Sequence, residues 1–111
     1  MRILLRAAAG FLAIIFTCGS VSHAGTTVAV SIDRAGNTGN DHSNTPAISA
    51  DGRYVAFQSL ADDLVPGDTN KKWDIFVRDL QKGETNIVSR DNAGNAGNND
   101  SNTPAISADG R

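Results

Sequence analysis

The chain has 111 residues, with 10 Lys plus Arg against 12 Asp plus Glu and one cysteine, Cys18. No basic stripe is present to release counterions from phosphates, which argues against a nucleic-acid partner, and one cysteine cannot build a disulfide framework. Glu84 is the sole Glu against 11 Asp, and short Asp side chains bond to nearby backbone in turns whereas Glu favours helices, so the composition excludes a helical fold.

Residues 1–24 read as an export address. Arg2 and Arg6 give a positive start, and the apolar run AAAGFLAIIF (7–16) is shorter than the roughly 20 residues a membrane helix needs. Ser22 and Ala24 are the small residues a signal peptidase accepts before Gly25. A signal peptide cleaved after Ala24 is expected, leaving a periplasmic or secreted domain over 25–111 with no membrane span. An uncleaved anchor is the alternative. Cys18 could be acylated in a lipoprotein, but Phe16 and Thr17 stand where small residues precede such a cysteine, so lipidation is not expected. The mature segment carries 8 Lys plus Arg against 12 Asp plus Glu, a net charge of −4.

The strongest signal is internal repetition. Residues 30–53 (VSIDRAGNTGNDHSNTPAISADGR) and 88–111 (VSRDNAGNAGNNDSNTPAISADGR) agree at 19 of 24 positions with a constant offset of 58. The final SNTPAISADGR is the same in both. In the first copy Arg53 is followed directly by the β-prone run YVAFQS, whereas Arg111 is the last residue. The 111 residues are therefore expected to be a fragment or a truncated product of a longer repeat array.

In chain order, residues 26–32 are predicted as a closing outer strand. Residues 45–50 (TPAISA) form a first blade strand, with Pro46 near its start where a missing N–H is tolerated. Asp51-Gly52 is a hairpin turn, and 54–59 is the return strand. A long polar connection over 60–72 leads to a third strand, 73–80 (WDIFVRDL), and Lys82-Gly83 turns the chain into a fourth, 85–89. A Gly/Asn-rich loop over 91–102 leads to the start of the next blade at 103–111. The second and third strands do not alternate cleanly between apolar and polar, since Val55 and Phe57 oppose Tyr54 and Ala56 while Ile75 and Val77 oppose Phe76. A sheet apolar on both faces needs a neighbour on each side, as a propeller blade has.

PAISADGRYVAFQS followed by DIFVRDLQKGETNIVS resembles the WD-like repeat of TolB-type β-propellers, with Ser49, Asp51, Gly52, Phe57, Ser59, Ile75, Phe76, Val77, Asp79, Leu80 and Gly83 at the matching positions. The resemblance implies an all-β fold of four-stranded antiparallel blades, about one and a half of them here, with a complete blade over 45–89. It also implies an exported module that binds a protein or polysaccharide partner. The 58-residue offset exceeds the roughly 40–45 residues of ordinary WD-type blades, and the excess falls in the loops.

Few residues suggest chemistry. Asp68, Asn70 and Asp74 place oxygens along one loop, the arrangement that can converge on Ca²⁺. Lys72 has the wrong charge for the intervening ligand, and turn capping explains the same residues. The loops GNTGNDHSN and GNAGNNDSN lack the paired glycines of Ca²⁺-binding β-rolls. His42 is replaced by Asp100 in the second copy and reads as a surface residue. Trp73 reads as a packing aromatic, with a binding rim as the alternative. No G-x-S-x-G elbow accompanies Ser49 or Ser107, so no catalysis is expected in this segment and no cofactor is required. The alternatives are the propeller half of a prolyl oligopeptidase-like hydrolase and a calcium-stabilised extracellular repeat.

Overall fold

A computed structural model describes residues 2–8, 11–17 and 26–111, with side chains from residue 27 onward. The described chain is all-β with no helix. Its main feature is an antiparallel four-stranded meander, β4 (Ser43–Ile48), β5 (Tyr54–Ser59), β6 (Asp74–Asp79) and β7 (Glu84–Ile87), each strand paired with the next. A second sheet joins β1 (Arg2–Ala8), β2 (Phe11–Thr17) and β3 (Thr26–Ala29) in that order. The proposed cut after Ala24, and Cys18, lie outside the described residues.

Turn chemistry sets the register of the meander. Between β4 and β5, Gly52 adopts φ +73° and its N–H donates to the Ser49 carbonyl at 2.9 Å. The Ser49 hydroxyl donates to Asp51 Oδ1 at 2.6 Å and accepts from Tyr54 N–H at 3.0 Å. Between β6 and β7, Asp79 Oδ1 accepts from the N–H groups of Gln81 and Lys82 at 2.9 and 3.1 Å. These side chains satisfy backbone donors that the ladder leaves open.

The strands differ from expectation at their ends. The return strand is as predicted, but β4 begins at Ser43, not Thr45. A register shift between Asn44 and Ala47 bulges the strand around Thr45, at φ +46°, and Pro46. Pairing of Ser43 with Ser59 starts the ladder two residues earlier. The third strand loses Trp73 and Leu80 from the prediction, and β7 starts at Glu84 and ends at Ile87. The outer strand is shorter than predicted and pairs with β2, while Ile32 makes an isolated bridge to Thr38. Residues 103–111 form no strand, whereas in the first copy Ala47 and Ile48 pair with Ala56 and Val55.

One face of the sheet is buried and the other is covered in part. On one face Val55, Phe57, Phe76 and Ile87 are buried together with Val30, Ala61, Leu64 and Val65. The rings of Phe57 and Phe76 sit on cross-strand partners and stack with centroids 5.7 Å apart. The cover on this side comes from residue 30 and from the loop after β5, which the sequence suggested was a polar connection only. Its Ala61, Leu64 and Val65 turn inward. On the opposite face Ala56 and Gln58 are buried, and the second repeat copy runs over them. Thr103 N–H donates to Gln58 Oε1 at 2.9 Å, Ala50 N–H donates to the Ala108 carbonyl at 3.1 Å, and Gly110 lies against the Tyr54 ring.

The two copies fold alike locally. Asp33 and Asp91 each accept the N–H of the Asn four residues on, at 2.8 and 2.9 Å. The amide of that Asn holds each carboxyl below its ordinary value. Thr45 and Thr103 share positive φ values of 46° and 53°. Ser107 donates to Asp109 at 2.6 Å, as Ser49 does to Asp51. Short-range side-chain bonds thus fix these loops irrespective of what surrounds them.

Candidate functional site

A cleft of about 700 Å³ beside the loop after β5 is lined by Asp33, Arg34, Asp62, Asp63, Asp68 and Arg90 among others. Three segments converge on it. The repeat loop after β3 brings Asp33 and Arg34, the loop after β5 brings Asp62, Asp63 and Asp68, and the residues after β7 bring Arg90. Arg34 pairs with Glu84 at 3.1 Å, but the arginine is 82% exposed, so the pair contributes little to stability.

Asp68 is the unusual member. It is buried, its Oδ1 has no hydrogen-bond partner, and it lies where the main cleft meets a smaller one of about 130 Å³. Burial, reinforced by the nearby charge of Asp74, raises its pKa from 3.8 to about 6. A second buried polar atom without a partner is Arg78 Nε. The same guanidinium donates through Nη1 to Thr85 Oγ1 at 3.1 Å and to the Asp33 carbonyl at 3.3 Å, and burial lowers its pKa. Arg78 thereby ties β6 to β7 and to the repeat loop.

The three residues singled out as calcium candidates are not arranged alike. Asn70 and Asp74 meet directly, with Asn70 Nδ2 donating to Asp74 Oδ2 at 2.8 Å and to the Gly97 carbonyl. Asn70 Oδ1 accepts Lys72 N–H at 2.8 Å, and Asp74 Oδ1 accepts the Ser89 hydroxyl at 2.6 Å. This is a clamp between the loop before β6 and the second repeat loop, with each oxygen already engaged. Asp68 lies near the clamp without a side-chain bond to Asn70 or Asp74, and among the described residues no group of three His, Cys, Asp or Glu side chains is placed to hold a metal ion.

Ser49 donates to Asp51 in a turn, so its hydroxyl serves the hairpin. Arg53 grips Asp79 through Nε at 3.1 Å and Nη2 at 2.8 Å, a fork of two charge-assisted bonds, and its guanidinium lies 4.8 Å from the centre of the Tyr54 ring. That hydrogen-bonded guanidinium holds Asp79 down at about 2. His42 is exposed, and its backbone carbonyl accepts from Leu60 N–H and the Ser59 hydroxyl at 3.0 and 3.1 Å. Trp73 is half-buried, and its backbone bonds Asp100 and Ser101 of the second copy.

The groups around the cleft of about 700 Å³ can make hydrogen bonds and charge contacts. They are carboxylates, arginines and loop amides around an open recess. A second open cleft, about 410 Å³, lies beside the second repeat loop between Val88, Gly97, Asn98 and Ser101. No family model, curated protein or solved structure matches the chain. Among the described residues no helix is long and apolar enough to cross a membrane.

Proposed function

We propose that the chain is part of the wall of an exported TolB-like β-propeller and serves as a binding or scaffold module for a protein or polysaccharide partner. The observation that carries this reading is a four-stranded antiparallel meander with one face buried and the other buried only at Ala56 and Gln58, followed at a 58-residue offset by a second unit with the same local backbone. A blade of this kind cannot bury both faces alone, so stacking of units supplies the missing cover. Loops at the ends of the strands are the parts of such a wall free to meet a partner. The acidic recess with Arg34 and Arg90 suits polar ligands with donors, such as sugar hydroxyls or basic peptide groups.

Two experiments test it. Residues 1–24 fused to a reporter that is active only outside the cytoplasm should export it, and retention inside would refute the address. Tandem copies of residues 45–102, in arrays of about four to eight, should fold as a monomeric closed ring at one copy number. Only open, length-independent stacks at every copy number would refute the propeller.

A further inference from the structure

The cleft of about 700 Å³ lies on the first repeat copy and is closed on one side by residues 62–69, part of the run that follows that copy. Its charges do not balance. Asp33, Asp62, Asp63 and Asp68 line it against Arg34 and Arg90, and both arginines are already occupied. Arg34 pairs with Glu84 at 3.1 Å, while Arg90 donates through Nε and Nη1 to the Ile87 and Gly94 carbonyls at 3.1 and 2.9 Å. Asp33 is engaged by its own loop, where Asn37 donates to its two oxygens at 2.8 and 2.9 Å. Asp62 and Asp63 each accept from Asn40 through Oδ1, at 2.7 and 2.9 Å. The second oxygen of each has no partner among the described residues.

Asp68 is the member whose own contacts leave it unsatisfied. It is only 6% exposed, its Oδ1 has no hydrogen-bond partner, and it lines both this cleft and the smaller one of about 130 Å³. The ion pairs among the described residues are Arg34–Glu84 and Arg53–Asp79, so no cation answers it. Burial, with the like charges of Asp74 and Asp62, raises its pKa to about 6. A buried carboxylate without a counter-charge is costly, and the group that removes the cost carries positive charge and N–H donors. A neutral hydroxyl supplies a bond but leaves the charge. A Ca²⁺ ion takes about six to eight oxygens, and among the described residues no three acidic, His or Cys side chains are placed around one site. Val65 and Pro66 stand in the same wall and offer apolar surface to the methylene stem of a long cationic side chain.

We infer that this cleft is a receptor for a basic side chain of a partner protein, an ammonium or guanidinium group on an extended stem, with Asp68 as its anchor and Asp62 and Asp63 as the outer charges. The inference rests on the reading of the chain as a binding module and chooses a basic protein over a neutral polysaccharide as its ligand. Binding in this cleft and closure of tandem arrays into a ring are separate readouts, so each can fail without the other.

The probe is Nα-acetyl-lysine N-methylamide, titrated into the full chain at fixed ionic strength and followed by amide chemical shifts in NMR. Saturable shifts at residues 62–69 are expected, and the norleucine analogue, which lacks the ammonium, should give none. Asp68→Asn, nearly the same in shape, should weaken binding by at least about tenfold. The wild-type chain supplies a second reading that needs no variant. The probe stays charged throughout, whereas a proton competes for Asp68 below about pH 6. Affinity should therefore fall by about tenfold between pH 7.5 and pH 5, a profile that a merely structural role for Asp68 leaves flat. No saturable shift, equal binding of the norleucine analogue, equal affinity in Asp68→Asn, or an affinity unchanged at pH 5 overturns the inference. Calcium chloride that displaces the lysine probe assigns the cleft to a metal ion and overturns it as well.

Discussion

Replacing Asp68 with Asn tests whether a buried, unsatisfied carboxylate sets the pH dependence of stability. Its pKa in the folded chain is about 6 against an ordinary 3.8. An acid with a raised folded pKa binds its proton more tightly when folded, so ionisation opposes folding. The cost is fully present above about pH 6 and disappears as the pH falls towards 4. A shift of about two pH units at roughly 1.4 kcal/mol each sets a ceiling of about 3 kcal/mol. Asp68 sits between two open clefts and accepts the Asn70 N–H, which screens the charge and brings the expected cost to about 1–2 kcal/mol. Urea unfolding of the full chain, followed by far-UV circular dichroism, reads this as midpoint times slope. Asp68→Asn should stabilise the chain by that amount at pH 7.5 and by close to nothing at pH 3. The same stability change at both pH values, or destabilisation at pH 7.5, would refute the reasoning.

Gly39→Ala should destabilise the chain by about 1–3 kcal/mol in the same assay, since the new methyl meets Ala61 at 2.9 Å and Leu64 at 3.1 Å in a packed core. A change below about 0.5 kcal/mol would mean the cover relaxes freely. Phe57→Ala removes a fully buried ring stacked on Phe76 and should cost about 3–5 kcal/mol, enough to abolish cooperative unfolding in a domain this small; a retained sharp transition would contradict it. Asp79, held near pH 2 by Arg53, contributes stability that is present above about pH 4 and lost as the pH falls towards 2. Asp79→Asn should flatten that acid limb of the stability profile, and an unchanged limb would show that other groups drive acid unfolding.

The strands were legible because each is bounded by turn residues acting locally. Asp51-Gly52 and Gly83 mark the two hairpins, and 54–59 emerges with its predicted ends. The start of β4 was hidden because Pro46 signals a strand edge, whereas the chain instead bulges around it through Thr45 in a left-handed conformation that a β-branched residue seldom adopts. The cover over the core was hidden for another reason. Ala61, Leu64 and Val65 are spread among Asp62, Asp63, Pro66 and Gly67, a spacing that matches neither strand nor helix, though two apolar residues side by side in a polar loop were a usable signal. The buried Arg78 lay within an apolar strand, where its long stem packs while Thr85 and the Asp33 carbonyl take its protons. Of the calcium candidates, spacing alone brought Asp68, Asn70 and Asp74 together, whereas in three dimensions the Gly97 carbonyl of the distant repeat loop draws Asn70 into a different bond.

The complete identity of residues 43–53 and 101–111, together with the positive φ shared by Thr45 and Thr103 and by Gly52 and Gly110, has an evolutionary consequence. A recombination event joining the two copies anywhere within this stretch inserts or deletes one whole unit and leaves no seam in the protein. The residues at the junction keep the same neighbours in sequence and the same local bonds. The segment that shapes the bulged strand and its hairpin is thus also the place where the array can change length without inventing new structure.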